Sequence, residues 1–243
     1  MPSQEDVRFV AHFDMLGMST LTKRDPDIAW NMLSALCRAR EERLSLGIQR
    51  LDTNEVIADQ IRTFTFSDTV VAFSKGSREN DALAMVMLMI ELFTYALHLG
   101  IPLRGGIAHG QFKFNFDMNL FSGPALVDAY ELGESAQWLG IVLDQYTADS
   151  FSRLPVGRSS GRHGSIVAWD VPCKDGASRR QSVANWPESH RNAYVGPVPL
   201  TVQDFYAPFE SMFGAYESLR PDVAAKYANT VAFFNAHHEP ATK

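Results

Sequence analysis

The chain has 243 residues, 46% of them hydrophobic and 21% charged, which supplies enough apolar surface for a substantial core and reads most simply as one domain with a tail. A formal net charge of −6 argues against sequence-independent binding to nucleic acid, which needs a surplus of Lys and Arg, but leaves a small phosphorylated ligand open. Two distant cysteines, Cys37 and Cys173, outside any CxxC pattern, suggest neither a zinc site nor a disulfide framework.

Residues 1–6 lack the basic start and apolar run of a secretory signal, which points to a cytoplasmic protein. Residues 7–13 read as a buried strand through Phe9, Val10, Ala11 and Phe13, stopping at Asp14 and Gly17. Asp25 followed by Pro26 is a helix start, the carboxylate capping N–H groups and proline standing where no N–H is needed. From Asp27 the apolar residues Ile28, Leu33, Leu36 and Cys37 recur at helical spacing until Gly47.

Residues 61–66 and 70–73 are β-branched and aromatic runs separated by Ser67-Asp68-Thr69, the pattern of a hairpin with Asp68 at its tip. Ala82, Met85, Val86, Met89, Phe93, Ala96 and Leu97 repeat at three and four, giving a long helix ended by Gly100-Ile101-Pro102. This stretch alone is long enough to raise the question of a membrane. Glu91 near its middle would cost roughly 3 kcal/mol at a bilayer centre, so a buried core helix is the stronger reading and no membrane is expected.

Residues 103–108 form a further strand, 124–138 a helix and 141–143 a short strand, so the order is βαββαβ plus additions. That order predicts an α+β, ferredoxin-like fold with helices on one face of a mainly antiparallel sheet. Residues 157–164 and 173–199 read as loops, with an edge strand between them at 166–171. The tail regains helical spacing over 205–235, divided by Pro221, and is expected to dock on the domain or on a second subunit. The expected division is a catalytic domain over 1–172, with 173–243 a loop and helical extension of the same domain.

Asp14, at the end of the first strand, and Asp68, at the hairpin tip, can become neighbours in a βαββαβ sheet. A pair of carboxylates suits hard divalent ions, Mn2+ or Mg2+. Two such ions about 4 Å apart serve phosphoryl chemistry by activating an attacking oxygen and holding a leaving phosphate. The turn Met15-Leu16-Gly17-Met18 leads into a helix whose backbone N–H groups could cradle a triphosphate. Singly, an Asp after a strand is more often a cap and an Asp in a turn more often bonds its own backbone. Their order along the chain raises the reading above either alone.

The stretches Phe13-Asp14-Met15-Leu16-Gly17-Met18-Ser19 and Phe66-Ser67-Asp68-Thr69-Val70 resemble the two aspartate motifs of class III nucleotidyl cyclases. Arg104-Gly105-Gly106-Ile107-Ala108-His109-Gly110 is similar to the Arg-x-Gly-Ile-x-x-Gly strand of that family, and residues 123–132 to its Gly-x-x-Val-Asn-x-Ala-x-Arg-Leu helix. The resemblance spans about residues 7–145. It implies a metal-dependent cyclase with two divalent ions on Asp14 and Asp68, a nucleoside triphosphate substrate and a homodimer with sites at its interface. Arg104 reads either as a phosphate ligand or as a salt-bridge residue at a strand edge. His109 reads as a phosphate contact or as structural, the second being commoner for a lone strand histidine.

The departures are Val127 at the family's Asn, Glu131 at its transition-state Arg, Phe64 at the purine-reading Lys and Leu120 at a second base-reading position. A site without polar groups for one base points to another base. These departures, with Phe64-Thr65-Phe66-Ser67-Asp68 and the residues around Val127, resemble the pyrimidine cyclases of bacterial Pycsar antiphage systems. That resemblance implies UTP, and cyclic UMP as a defence signal, with CTP, ATP or GTP as alternative substrates and a binding module without turnover as the rival.

Overall fold

The computed structural model describes residues 6–45, 48–49, 56–57, 61–154, 165–191 and 200–237. The elements follow as β1 (Val7–Met15), α1 (Met18–Arg24), α2 (Pro26–Ser45), the short pair β2 (Ile48–Gln49) and β3 (Val56–Ile57), β4 (Ile61–Phe66), β5 (Thr69–Ser74), α3 (Glu79–His98), β6 (Leu103–Gln111), β7 (Lys113–Asn115), β8 (Leu120–Ser122) and α4 (Pro124–Ser135). After them come β9 (Ile141–Leu143), α5 (Gln145–Ser152), β10 (Ile166–Pro172), β11 (Ser178–Ala184), α6 (Trp186–Arg191), α7 (Val202–Phe213), a 3-10 turn at Tyr216–Ser218 and α8 (Pro221–His237).

Seven strands form one sheet in the order β10-β11-β9-β6-β1-β5-β4. All neighbours are antiparallel except β6 and β9, which run parallel because α4 carries the chain from one to the other. The run β6-β1-β5-β4 is the ferredoxin-like core that the βαββαβ order predicts.

Because side chains alternate along a strand, β1 divides between two layers. Phe9, Ala11, Phe13 and Met15 enter the large core with α2 and α3, while Val10 joins Val71, Phe73, Phe112 and Ala125 on the opposite face. Helix α3 is buried along most of its length, with Glu91 left at the surface. It is the one helix among the described residues long and apolar enough to cross a membrane, and 78% of that window is packed inside the fold. Asp25 caps α2 as its sequence predicts, its Oδ1 accepting the Ile28 N–H at 3.0 Å.

Three expectations change. Helix α4 lies on the opposite sheet face from α3, where Gly106 and Gly133 remove the side chains that would hold it off: a β-carbon at Gly106 would stand 2.3 Å from the Ala129 carbonyl oxygen. Within 173–199, read as loop, the structure has β11 inside the sheet and α6 with fully buried Trp186. Their signal is masked because β11 presents Ser178, Arg179 and Arg180 to solvent, leaving Val183 and Ala184 as its buried end. The sheet therefore continues past residue 172. The third addition is α5, whose cap Asp144 accepts the Thr147 N–H at 2.7 Å. The expected loop at 157–164 lies outside the described residues.

The tail docks on its own domain. Thr230 of α8 accepts the Leu139 N–H at 2.8 Å, and Phe233 packs edge-on against Trp138 and Trp169.

Candidate active site

Asp14 is the penultimate residue of β1, paired with Thr69 of β5 on one side and Arg104 of β6 on the other. Asp68 occupies the two-residue turn between β4 and β5, where Ser67 takes a left-handed φ of 54° that lets so short a loop reverse the chain. The Met15 N–H donates to the Asp68 carbonyl at 3.0 Å, joining the end of β1 to that turn. The two aspartates thus stand on adjoining main chain although 54 residues separate them in sequence (68 minus 14).

Burial pushes the Asp14 carboxyl above the usual carboxylate range; the Arg104 guanidinium opposes this, and the charges of Asp68 and Glu134 add to it. Arg104 is 5% exposed. Its Nη2 lies 3.1 Å from Asp14 Oδ2 and is also paired with Glu134, and Nη1 donates to the Glu134 carbonyl at 3.4 Å. These ion pairs lie in the buried middle of the sheet rather than at an edge.

Glu134 reaches Arg104 because α4 rests directly on the glycines of β6. A second cation, Lys174, pairs with the other Glu134 oxygen. It stands in the β10–β11 turn, which is fastened to the end of α4 by the Lys174 N–H to Ser135 carbonyl bond at 2.9 Å. Lys226 of α8 lies close enough that Arg104 and Lys174, after burial, push its ammonium below the ordinary lysine value. His12, two residues before Asp14 on the same strand face, has its ring edge-on to Tyr130 of α4. Burial holds it below the usual histidine value, and Arg104 lowers it further.

Glu134, Lys174, Lys226 and His12 were not singled out in the sequence. Glu134 follows the cyclase-like stretch by two positions and carried a local signal; Lys174 and Lys226 come from segments whose docking no local pattern reveals.

The turn Met15-Leu16-Gly17-Met18 is partly committed. The Met15 and Leu16 N–H groups bond the carbonyls of Asp68 and Pro102, the latter at 2.9 Å, and the Met15 and Met18 side chains are buried. Gly17, at φ 81°, makes the left-handed turn into α1. Backbone at Gly17 and Met18 is what remains there for a ligand. Phe64 stacks on Phe121 of β8, with centroids 3.8 Å apart and planes 19° from parallel. Leu120, Val127 and Glu131 are exposed. His109 pairs with Phe9 far along β6 from Asp14, and its ring stacks on Tyr146 at 3.9 Å.

As a cation site, the pair would supply hard oxygen donors, and two half-buried like charges gain from a cation between them. No cluster of three or more His, Cys, Asp or Glu suited to a metal occurs among the described residues. Asp14 and Asp68 are two carboxylates that the fold brings together at the end of β1, and their oxygens suit a hard divalent ion whose remaining ligands would come from water or substrate.

No family model matches the chain, and no curated protein does. Among solved structures it is similar to the catalytic core of a rhodopsin-guanylyl cyclase with converted specificity, crystallised in complex with ATPalphaS. The TM-score is 0.50 at 10% identity, over 74% of this chain and 95% of that one. This chain has the class III nucleotidyl cyclase fold. At that identity the likeness speaks for the fold alone.

Proposed function

We propose that the chain is a metal-dependent nucleotidyl cyclase that converts a pyrimidine nucleoside triphosphate, UTP first, to its 3′,5′-cyclic monophosphate and pyrophosphate, as a signal in antiphage defence. The observation that carries the reading is the convergence of Asp14 and Asp68 at one end of a cyclase-fold sheet. Asp14 and Asp68 would hold Mn2+ or Mg2+, two per site, which would supply charge for the attacking oxygen and the leaving phosphates.

The protein's own residues bind and orient. Gly17 and Met18 offer backbone to the phosphates. Arg104 holds Asp14 in place and brings the positive charge of a guanidinium beside it. In the reaction the substrate's 3′ oxygen forms a bond to the α-phosphorus, the bond to the bridging oxygen breaks, pyrophosphate departs and the hydroxyl proton passes to solvent. Phe64, stacked on Phe121, provides an apolar wall with no hydrogen-bonding group where a purine reader would stand. That supports a pyrimidine; uracil over cytosine rests on the Pycsar likeness.

Phe66, Met118, Leu120, Val127 and Tyr130 are all large apolar or aromatic side chains left exposed, on the hairpin tips and on α4. We assign them to the interface of a homodimer whose shared sites take phosphate or base contacts from the partner. Sedimentation of the active enzyme as a monomer at assay concentration would remove the shared site.

A second reading is a nucleotide-binding module without turnover, favoured by Val127 and Glu131 where the family has its Asn and Arg. Incubation with each of the four triphosphates and Mn2+, with mass spectrometry of products, decides among these. Cyclic UMP with pyrophosphate is expected. A purine product would overturn the base assignment, and thermal stabilisation by nucleotide without pyrophosphate would establish the binding module.

A further inference from the structure

The turn that follows Asp14 is backed by the C-terminal extension. A β-carbon at Gly17 would stand 3.0 Å from Cε1 and 3.2 Å from Cδ1 of Phe213, the last residue of α7, so this aromatic ring lies directly against the turn's backbone. A second contact joins α7 to the segment that bonds this turn. Gly100, at φ 69°, lies against Pro208 of α7, where a β-carbon would stand 2.5 Å from the Pro208 carbonyl oxygen. Two residues on, Pro102 accepts the Leu16 N–H. A third contact ties the far end of α1, where Arg24 donates to the Met212 carbonyl.

The end of α7 is itself fixed. Gly214, at φ 87°, returns its N–H to the Glu210 carbonyl at 2.8 Å, and its own carbonyl accepts the buried Tyr206 hydroxyl at 2.9 Å. Tyr206 packs edge-on against Tyr227 of α8. A chain of contacts therefore runs from α8 through Tyr206 and Phe213 to Gly17, three residues from Asp14.

We propose that Phe213 is a positioning residue for the reaction: it holds the Met15-Leu16-Gly17 turn, and through it Asp14, in the arrangement that accepts the nucleotide. This rests on the cyclase reading of Asp14 and gives the C-terminal helices a task, that of a backing plate for a turn whose Met15 and Leu16 N–H groups bond the carbonyls of Asp68 and Pro102. A residue of this kind governs the fraction of molecules whose turn is competent. Its loss weakens apparent substrate affinity in proportion to that fraction, while saturating substrate restores the competent state.

The test compares full-length wild type with Phe213→Ala and Phe213→Leu. Steady-state kinetics use whichever triphosphate the wild type turns over with saturating Mn2+. Amide hydrogen exchange is followed on the nucleotide-free proteins. For Phe213→Ala the expected result is a KM raised about tenfold with kcat within about twofold of wild type. Faster exchange should be confined to the amides of residues 15–21, and Phe213→Leu, which still covers Gly17, should recover most of both. An unchanged KM with unchanged exchange would overturn the proposal. So would exchange that rises evenly through β1, β6 and α3, with no rescue by Leu, since that marks a general packing role. If the wild type turns over no triphosphate, the cyclase reading fails, and the exchange measurement alone then decides whether Phe213 holds the turn.

Discussion

Arg104 links two carboxylates to which the proposed function gives different tasks, and the difference can be measured. Asp14 is half-buried and raised toward its neutral form, so it carries a desolvation cost that a stability-optimised residue would not. Asp14→Asn is therefore expected to keep or raise the melting temperature while abolishing turnover, with Arg104 left on Glu134. Asp68→Ala, at a half-buried position in a turn, should abolish product with little change in melting. Retained turnover in both variants would remove the mechanism. Glu134→Gln acts in the other direction, because a buried guanidinium loses a partner. A loss of about 1–3 kcal/mol is expected, between the values for exposed and buried pairs, read by urea denaturation. With Glu134 neutral, Arg104 bears more fully on Asp14 and competes with the cation, so half-saturating Mn2+ should rise. The places of Asp14 at a strand end and Asp68 in a hairpin turn were legible because the flanking strands have a clear apolar pattern; the meeting of Glu134 and Lys174 with Arg104 was not, since it depends on how closely α4 packs and where a later hairpin docks.

That close packing is a property of helix α4 and strand β6. Gly106 lets the helix backbone reach the sheet, and the atoms a side chain would strike there are a carbonyl oxygen and the Leu132 β-carbon, neither of which can swing aside. Gly106→Ala is expected to destabilise by about 1–3 kcal/mol through overpacking and to lower activity by lifting Glu134 from Arg104. Gly110→Ala, on the same strand, meets Ala125 at an ordinary 3.4 Å and should change stability by less than about 0.5 kcal/mol. Equal melting shifts in the two variants would show that α4 does not depend on Gly106 for its seat. The core elements were legible because β1, β4, β5 and α3 each repeat apolar residues at a clear period. Strands β7 and β8 were missed, although Phe112, Phe114 and Phe116 alternate, because a three-residue strand gives too short a run. Strand β11 was missed for a different reason, its outward arginines breaking the alternation.

Across the whole molecule the βαββαβ order sufficed to place the sheet, whereas the docking of α7 and α8 did not follow from it. Helical spacing says that a tail has an apolar face, and only the assembled core says what that face covers. The assembled state also sets the response to pH. His12, His98 and His109 come from three separate elements, and burial holds each below the ordinary histidine value of 6.5. In the unfolded chain each regains that value and takes up a proton as pH falls, so the unfolded state binds more protons below about 6.5 and stability declines there. The raised Asp14 carboxyl has the opposite sign, the folded state binding the extra proton, and so its contribution is lost as pH rises above 3.8. Melting curves recorded between pH 7.5 and 5.5 in the Asp14→Asn background therefore isolate the histidines. The melting temperature should fall steadily toward pH 5.5, and His12→Asn should flatten that fall, since His12 is the most deeply placed of the three and faces Arg104. A melting temperature that held constant or rose over this range would mean that the three rings are solvated in the native fold, and that α4 does not close over β1 beside Asp14.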